Sequence, residues 1–342
     1  MAYTLYNGSE LPNIVTVAKR LDPNGKIATI AELLAQYNPI LEDIPMVEGN
    51  LPVGHRHTIR SGICTPTWRR LNYGVRPTVS GTIQVDDTIG MLEDYSEVDK
   101  DLATLNGNSA EFRMSEDEPH IEGMSTTMAQ TVFYGDTAVN PERFLGISPR
   151  YDSFADITAK PAATTNSAYL KQIIDMGGTG AALTSVYLIS WGKNTVFGLY
   201  PKGSKVGLST QNLGEVTLFD NDGGRFQGYR THYQWKMGLA VKDWRYIVRI
   251  ANINLANLDN TDYQISLYKA FIKATHTLPS ANLGRPVFYC GQAVSTMLDL
   301  AAVEKANVAL TMSEVFGRPI TAFRGIPIRH CNAILETEAQ VI

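Results

Sequence analysis

The densest group of reactive side chains lies in HRHTIRSGICTPTW, His55–Trp68, where His55, His57 and Cys64 stand among Arg56 and Arg60. Two chemistries use such residues. A zinc site needs about four ligands at workable spacing. Histidines two apart on a strand share a face, but no second cluster supplies the rest. A cysteine nucleophile needs a base beside it in a pocket that excludes water, and the stretch around Cys64 has too little flanking core to make one. What remains is a set of polar residues on an exposed or interfacial arm.

Other motifs fail on spacing. MGGTGAA, Met176–Ala182, has the glycines of a phosphate loop without the Lys-Ser or Lys-Thr pair. The helical pattern YLKQIIDM before it makes Gly177 a helix terminator. Glu116, Asp117, Glu118 and Glu122 spread around the charged face of a helix instead of converging on a cation. The elbow G-x-S-x-G and the zinc motif H-E-x-x-H are absent. The expectation is a protein that is not an enzyme, with no catalytic residues, cofactor or metal.

Composition limits the partners. The chain has 342 residues, 44% hydrophobic and 19% charged, which is ordinary for a globular protein. A net charge of -4 argues against a dedicated nucleic-acid binder, which needs a cationic excess to displace counterions from phosphates. Cys64, Cys290 and Cys331 are too scattered for a disulfide framework, as suits a reducing cytosol. No stretch approaches the roughly 18 apolar residues of a membrane span, and the N-terminus does not read as a signal peptide. No membrane partner is expected.

The elements that must carry these residues are more informative. Residues 1–50 mix short helical patterns with Pro and Gly breaks and read as an arm; Ile27, Ile30, Leu33 and Leu34 share one face of its second helix. In Leu51–Val85 a basic block holding Arg56, Arg60, Arg69, Arg70 and Arg76 abuts an acidic strip, Asp86–Asp101, that holds Asp86, Asp87, Glu93, Asp94 and Glu97. HTIRSGI and TVSGTIQV read as the two strands of an extended β-hairpin arm, too thin to make a core.

A long helix is expected over 109–135, with Ile121, Met124, Met128 and Val132 in one stripe and Pro119 either kinking it or starting its main segment. VYLISWG, TVFGLYP and EVTLF read as strands. RFQGYRTHYQWK and LAVKDWRYIVRIANI read as a long hairpin over 225–253 that turns at Met237 and Gly238, with a bulge near Lys242 and Asp243. In 261–342, helix DYQISLYKAFIKATH (Ile265, Tyr268, Phe271 and Ile272 on one face), strand VFYC, helix QAVSTMLDLAAVEK and ITAFRGIPIRHCNAI read as a compact α/β layer.

An arm, a coreless N-terminal extension and a basic block beside an acidic one are costly for a monomer. Two copies arranged head to tail, one copy's arm crossing its neighbour's strip, would bury and neutralise both, and such contacts generate rings or shells. The predicted interface residues are the five arginines, the acids Asp86, Asp87, Glu93, Asp94 and Glu97, and Glu116, Asp117 and Glu118 on the helix.

The element order resembles the major capsid proteins of tailed bacteriophages, with the Hong Kong 97 fold. VEGNLPVGHRHTIRSGICTPTWRRLNYGV, VDDTIGMLEDYSEVDKDLATLNGN, FYGDTAVNPERFLGISPRY and WGKNTVFGLYPKGSKVGL look like segments of capsid proteins from short-tailed phages, the podoviruses. The resemblance implies an α+β fold with an N-terminal arm (1–50), an extended loop (51–95), a peripheral domain (96–260) holding the spine helix, and an axial α/β domain (261–342).

The long strands precede the axial unit here, which suggests a rearranged element order. The resemblance also implies pentamers and hexamers of an icosahedral capsid, assembled in the host bacterial cytoplasm around a scaffolding protein, with a portal, an optional decoration protein, and nonspecifically contacted double-stranded DNA. The alternatives are a nanocompartment shell enclosing an enzyme, and a cytosolic cysteine-dependent hydrolase using Cys64 or Cys290.

Overall fold

The computed structural model describes residues 38–60, 62–104, 109–154, 172–219, 223–280, 283–303, 310–315 and 318–342. The helical patterns expected near the N-terminus lie outside the described residues. In chain order the strands are β1 (Met46–Glu48), β2 (Gly54–Arg60), β3 (Thr82–Asp99), β4 (Ile173–Asp175), β5 (Leu183–Trp191), β6 (Val196–Tyr200), β7 (Leu208–Phe219), β8 (Arg225–Val241), β9 (Ile247–Asn254), β10 (Arg285–Cys290), β11 (Leu310–Val315), β12 (Arg318–Phe323) and β13 (Ile326–His330). The helices are α1 (Ile40–Asp43), α2 (Lys100–Thr104), α3 (Ser109–Tyr134), α4 (Thr261–Thr277) and α5 (Gln292–Val303). Two units share them, the first formed among the described residues by Met91–Met128 and Gly207–Lys236, the second by Tyr37–Gly90, Ala129–Val206 and Met237–Ile342. Strands β3 and β8 and helix α3 run through both, so the unit limits cross the consecutive domains expected from sequence.

The second unit is built on β5. Every residue of LTSVYLISW is buried, as in a strand covered on both faces. β9 and β10 flank it antiparallel, β13 lies parallel to β10, and β12 and β11 continue that edge. Helix α4 starts where the Asn260 side chain accepts from the Asp262 and Tyr263 amides, a cap that satisfies otherwise unpaired donors. It buries Leu267, Tyr268, Ala270, Phe271 and Ala274. Phe271, Phe288 and Phe323 meet there with ring centroids 4.7 to 6.3 Å apart. The end of α3 buries Ala129, Val132 and Phe133, and Phe133 lies 5.2 Å from the Tyr187 ring.

The first unit has a smaller apolar core of Val98, Leu102, Ala103 and Phe112, with Tyr229 against it. Polar contacts do much of the joining. His120 meets Asp94 at 2.6 Å, Lys100 meets Glu215 at 2.7 Å, and Arg113 donates to Asn212 at 2.9 Å while lying over the Tyr229 ring. β7 pairs antiparallel with β8 through a register shift between Asn212 and Gly214, where Gly214 takes φ +73, a conformation glycine adopts without a side-chain clash.

Several expectations are corrected. Residues 225–253 are not a hairpin: β8 continues through Met237 and Gly238 to Val241 and pairs with β7 and β6, whereas β9 pairs with β5 and β4. A Cβ on Gly238 would stand 2.5 Å from the Thr88 carbonyl oxygen, so this glycine marks a close approach of two backbones and not a turn. The parity shift at Lys242 and Asp243 is where the chain leaves β8 for a 3-10 turn at Trp244–Tyr246 capped by Asp243.

Ile173–Asp175, expected in a helix, is a strand parallel to β9. Its β-branched pair, Ile173 and Ile174, fits a pleated surface, and Gly177 follows a strand instead of ending a helix. In α3, Met124, Met128 and Val132 are buried but Ile121 is 41% exposed. Pro119 lies inside that helix and does not start it. In α4, Ile265 and Ile272 face out.

Candidate assembly interface

The extended arm is rooted by β2 and β3, paired antiparallel from Gly54↔Thr88 to Arg60↔Thr82. Period-two alternation sends His57 and Asp87 inward and Arg56 and Asp86 outward. Arg56 and Asp86 are direct cross-strand partners joined by two hydrogen bonds at 2.7 and 2.6 Å. The Arg56 hydrogen bond holds the Asp86 carboxyl below the ordinary carboxylate range.

Inside the root, Asp87 accepts from Arg150 at 2.8 Å and from the Val241 amide at 3.3 Å. His57 Nδ1 stands 3.6 Å from Asp87, too far for a hydrogen bond, and burial pushes the imidazole below its usual value. His57 is therefore a neutral core residue. His55 packs edge-on against Phe197. Among the described residues no three His, Cys, Asp or Glu side chains gather as a metal site.

Beyond Gly62, which donates to the Gly81 carbonyl at 3.3 Å, the arm carries no strand up to Thr82. Every residue from 63 to 79 is exposed, including Trp68 at 97%, Leu71 at 91% and Val79 at 91%. A turn at Arg70–Tyr73, with Asn72 at φ +66, is closed by Arg69 Nε donating to the Tyr73 carbonyl at 3.0 Å. Arg60, Arg69, Arg70 and Arg76 form no ion pair with any described residue. Cys64 is exposed on this tip.

The acidic residues are placed differently from the arginines of the tip. Besides Asp86 and Asp87, Glu97 pairs with Arg230 at 2.6 Å, Glu93 accepts from Gln234 and lies 3.7 Å from His232, and Asp94 meets His120. All five acids of the strip are thus engaged within the chain. Their partners, His120, Arg230, His232 and Gln234, are distant in sequence, so only strand register and helix packing could have shown this. On α3, Glu116 and Asp117 are half-buried, Asp117 beside Tyr233, whereas Glu118 is exposed. Met114 at 65% exposure and Ile121 at 41% flank Glu118 at helical spacing, giving an open stripe that is both acidic and apolar.

Two of the three cysteines are poor candidates for a nucleophile. Cys290 and Cys331 are buried, and burial pushes both thiols up to about 12.

A strand-rooted arm with an exposed tip, a long helix running through two units and a mixed α+β body define a tailed-phage capsid subunit of the Hong Kong 97 type. The chain belongs to the family described as Major capsid protein GP7, whose model matches residues 22–342. It is similar to a chain in the structure of bacteriophage Epsilon15, with 34% identity, a TM-score of 0.75 and 98% of each chain covered. The capsid chain of bacteriophage JBD30 shares the fold, with 10% identity, a TM-score of 0.50, and 90% of this chain and 95% of that chain covered. No curated protein matches. The chain is a structural, non-enzymatic subunit of a phage virion that assembles with itself into a multimeric shell.

Proposed function

We propose that this subunit forms pentamers and hexamers of an icosahedral shell, built in the host bacterial cytoplasm on a scaffolding protein, joined by a portal, with a decoration protein as an optional partner, and filled with double-stranded DNA. In the shell, the arm tip of one copy lies on a neighbour. The observation carrying this reading is the unbroken exposure of residues 63–79. Burying a side chain such as Trp68, on the order of 200 Å² at about 25 cal/mol per Å², is worth several kcal/mol, which a lone subunit forgoes.

Charge selects the receiving surface. Arg60, Arg69, Arg70 and Arg76 surround the apolar tip, and the Met114, Glu118 and Ile121 stripe on α3 offers an acid between two apolar side chains. The strip residues Asp86, Asp87, Glu93, Asp94 and Glu97 then act mainly by fixing the arm and the sheet within each copy. A net charge of -4 supports weak, nonspecific contact with the packaged DNA.

The test is Arg69→Glu with Arg70→Glu. The variant is expected to melt like the unaltered subunit and to yield few closed shells by electron microscopy. Normal shells in normal yield would overturn the arm's role.

A further inference from the structure

Residues 331–342 form no strand or helix, yet side chains along the whole segment are anchored in the second unit. Cys331, Ala333, Ile334, Glu338 and Val341 are all buried. The attachments come from five separate elements. The Cys331 amide donates to the Cys290 carbonyl of β10, the Tyr134 hydroxyl of α3 accepts from the Leu335 amide, and Glu336 accepts from the Ala293 amide in the first turn of α5. From β9, Asn252 donates to the Val341 carbonyl and accepts from its amide, at 3.0 and 2.8 Å. Asn252 does so at φ +58, a left-handed conformation rare inside a strand.

The centre of this attachment is Glu338. Its carboxylate accepts from Arg249 at 2.7 Å, from Tyr134 and from Ser185, while its amide donates to the Leu183 carbonyl of β5. Side-chain exposure is 3% for Arg249 and 5% for Glu338. Arg249 is thus a cation built into a core strand, and its counterion arrives only with a segment that has no secondary structure of its own. Until that segment seats, Arg249 lacks this counterion, and closing the core over a charge without its partner is costly.

We propose that Cys331–Ile342 is a clasp that gates entry into the shell: a subunit becomes competent to assemble only once Glu338 has closed on Arg249. The device would keep chains with an unclosed core out of a structure made of many copies, in which a single loose subunit weakens every neighbour it touches.

The test is co-expression of an untagged intact chain with a tagged variant, comparing the variant's share of purified shells with its share of synthesis. A chain stopped after Leu335 is expected to be depleted from shells at least tenfold. Glu338→Gln, which keeps the segment and its volume but removes the charge that Arg249 requires, is expected to be depleted at least threefold. Adding Arg249→Met to Glu338→Gln removes the orphan cation and is expected to restore incorporation. Incorporation of the shortened chain or of Glu338→Gln in proportion to synthesis would overturn the proposal. A combined variant as depleted as Glu338→Gln alone would overturn the charge pair as the element that closes the gate.

Discussion

Arg249 and Glu338, 89 positions apart in the chain, form a 2.7 Å ion pair in the interior of the second unit. Ser185, Tyr134 and the Tyr151 carbonyl complete its hydrogen bonds. Such a pair adds little over an apolar replacement, but breaking it strands a charge.

Replacing Arg249 with Met is therefore expected to destabilise the subunit by about 3–5 kcal/mol, because Glu338 then lacks its counterion. Equilibrium denaturation of the unassembled subunit measures this. A loss under about 1 kcal/mol would mean that the interior solvates the carboxylate without Arg249.

His57 predicts an acid-sensitive arm root. Burial lowers its folded-state value below the ordinary 6.5, so the unfolded chain binds the proton first. Stability is unaffected by this residue above pH 6.5 and falls as the pH drops from there towards the folded value. Asp87, His55, Arg150 and Lys242 surround the ring, and only Asp87 favours its charged form. Comparing urea midpoints at pH 7.5 and 5.5, His57→Gln is expected to lose less stability than the unaltered protein; equal losses would remove His57 as a cause.

Gly238→Ala tests the corrected path of β8. The new methyl would meet the Thr88 carbonyl oxygen at 2.5 Å and Ile89 at 3.1 Å, forcing backbone to move. A cost of about 1–3 kcal/mol is expected from overpacking. A turn glycine at that position would accept alanine far more readily, so an unchanged melting temperature would contradict the continuous strand.

Thiol labelling separates the three cysteines. Cys64, exposed on the arm tip, is expected to react quickly in free subunits, whereas Cys290 and Cys331, buried and pushed up to about 12, stay unreacted until unfolding. If the tip seats on a neighbour, Cys64 labelling slows at least tenfold in shells. Equal rates in both states would place Cys64 outside any contact.

Local periodicity made much of the fold legible. The alternation of RFQGYRTHYQWK marked β8, the apolar run VYLISWG marked β5, and the spacing of Met124, Met128 and Val132 marked the buried face of α3. It failed where two causes leave the same trace. A glycine between two strand patterns signals a turn or a close backbone approach, and for Gly238 only the nearness of Thr88 decides. YLKQIIDM carried a helical pattern, yet Ile173–Asp175 is held as a strand by pairing with β9.

The sequence by itself determined the arm's character, its arginines and apolar residues crowded between two short strand patterns, together with the family to which the chain belongs. Tertiary structure alone decided which charges remain available. The acids Asp86, Asp87, Glu93, Asp94 and Glu97 look free in a linear reading, yet each has a partner brought to it by strand register or helix packing. Arg249 and Glu338 look like unrelated surface charges until β9 and the final segment meet. The physical reason is range: propensity and hydrophobic period are set within a few residues, whereas the value of a charge depends on its burial and on whatever the fold carries next to it.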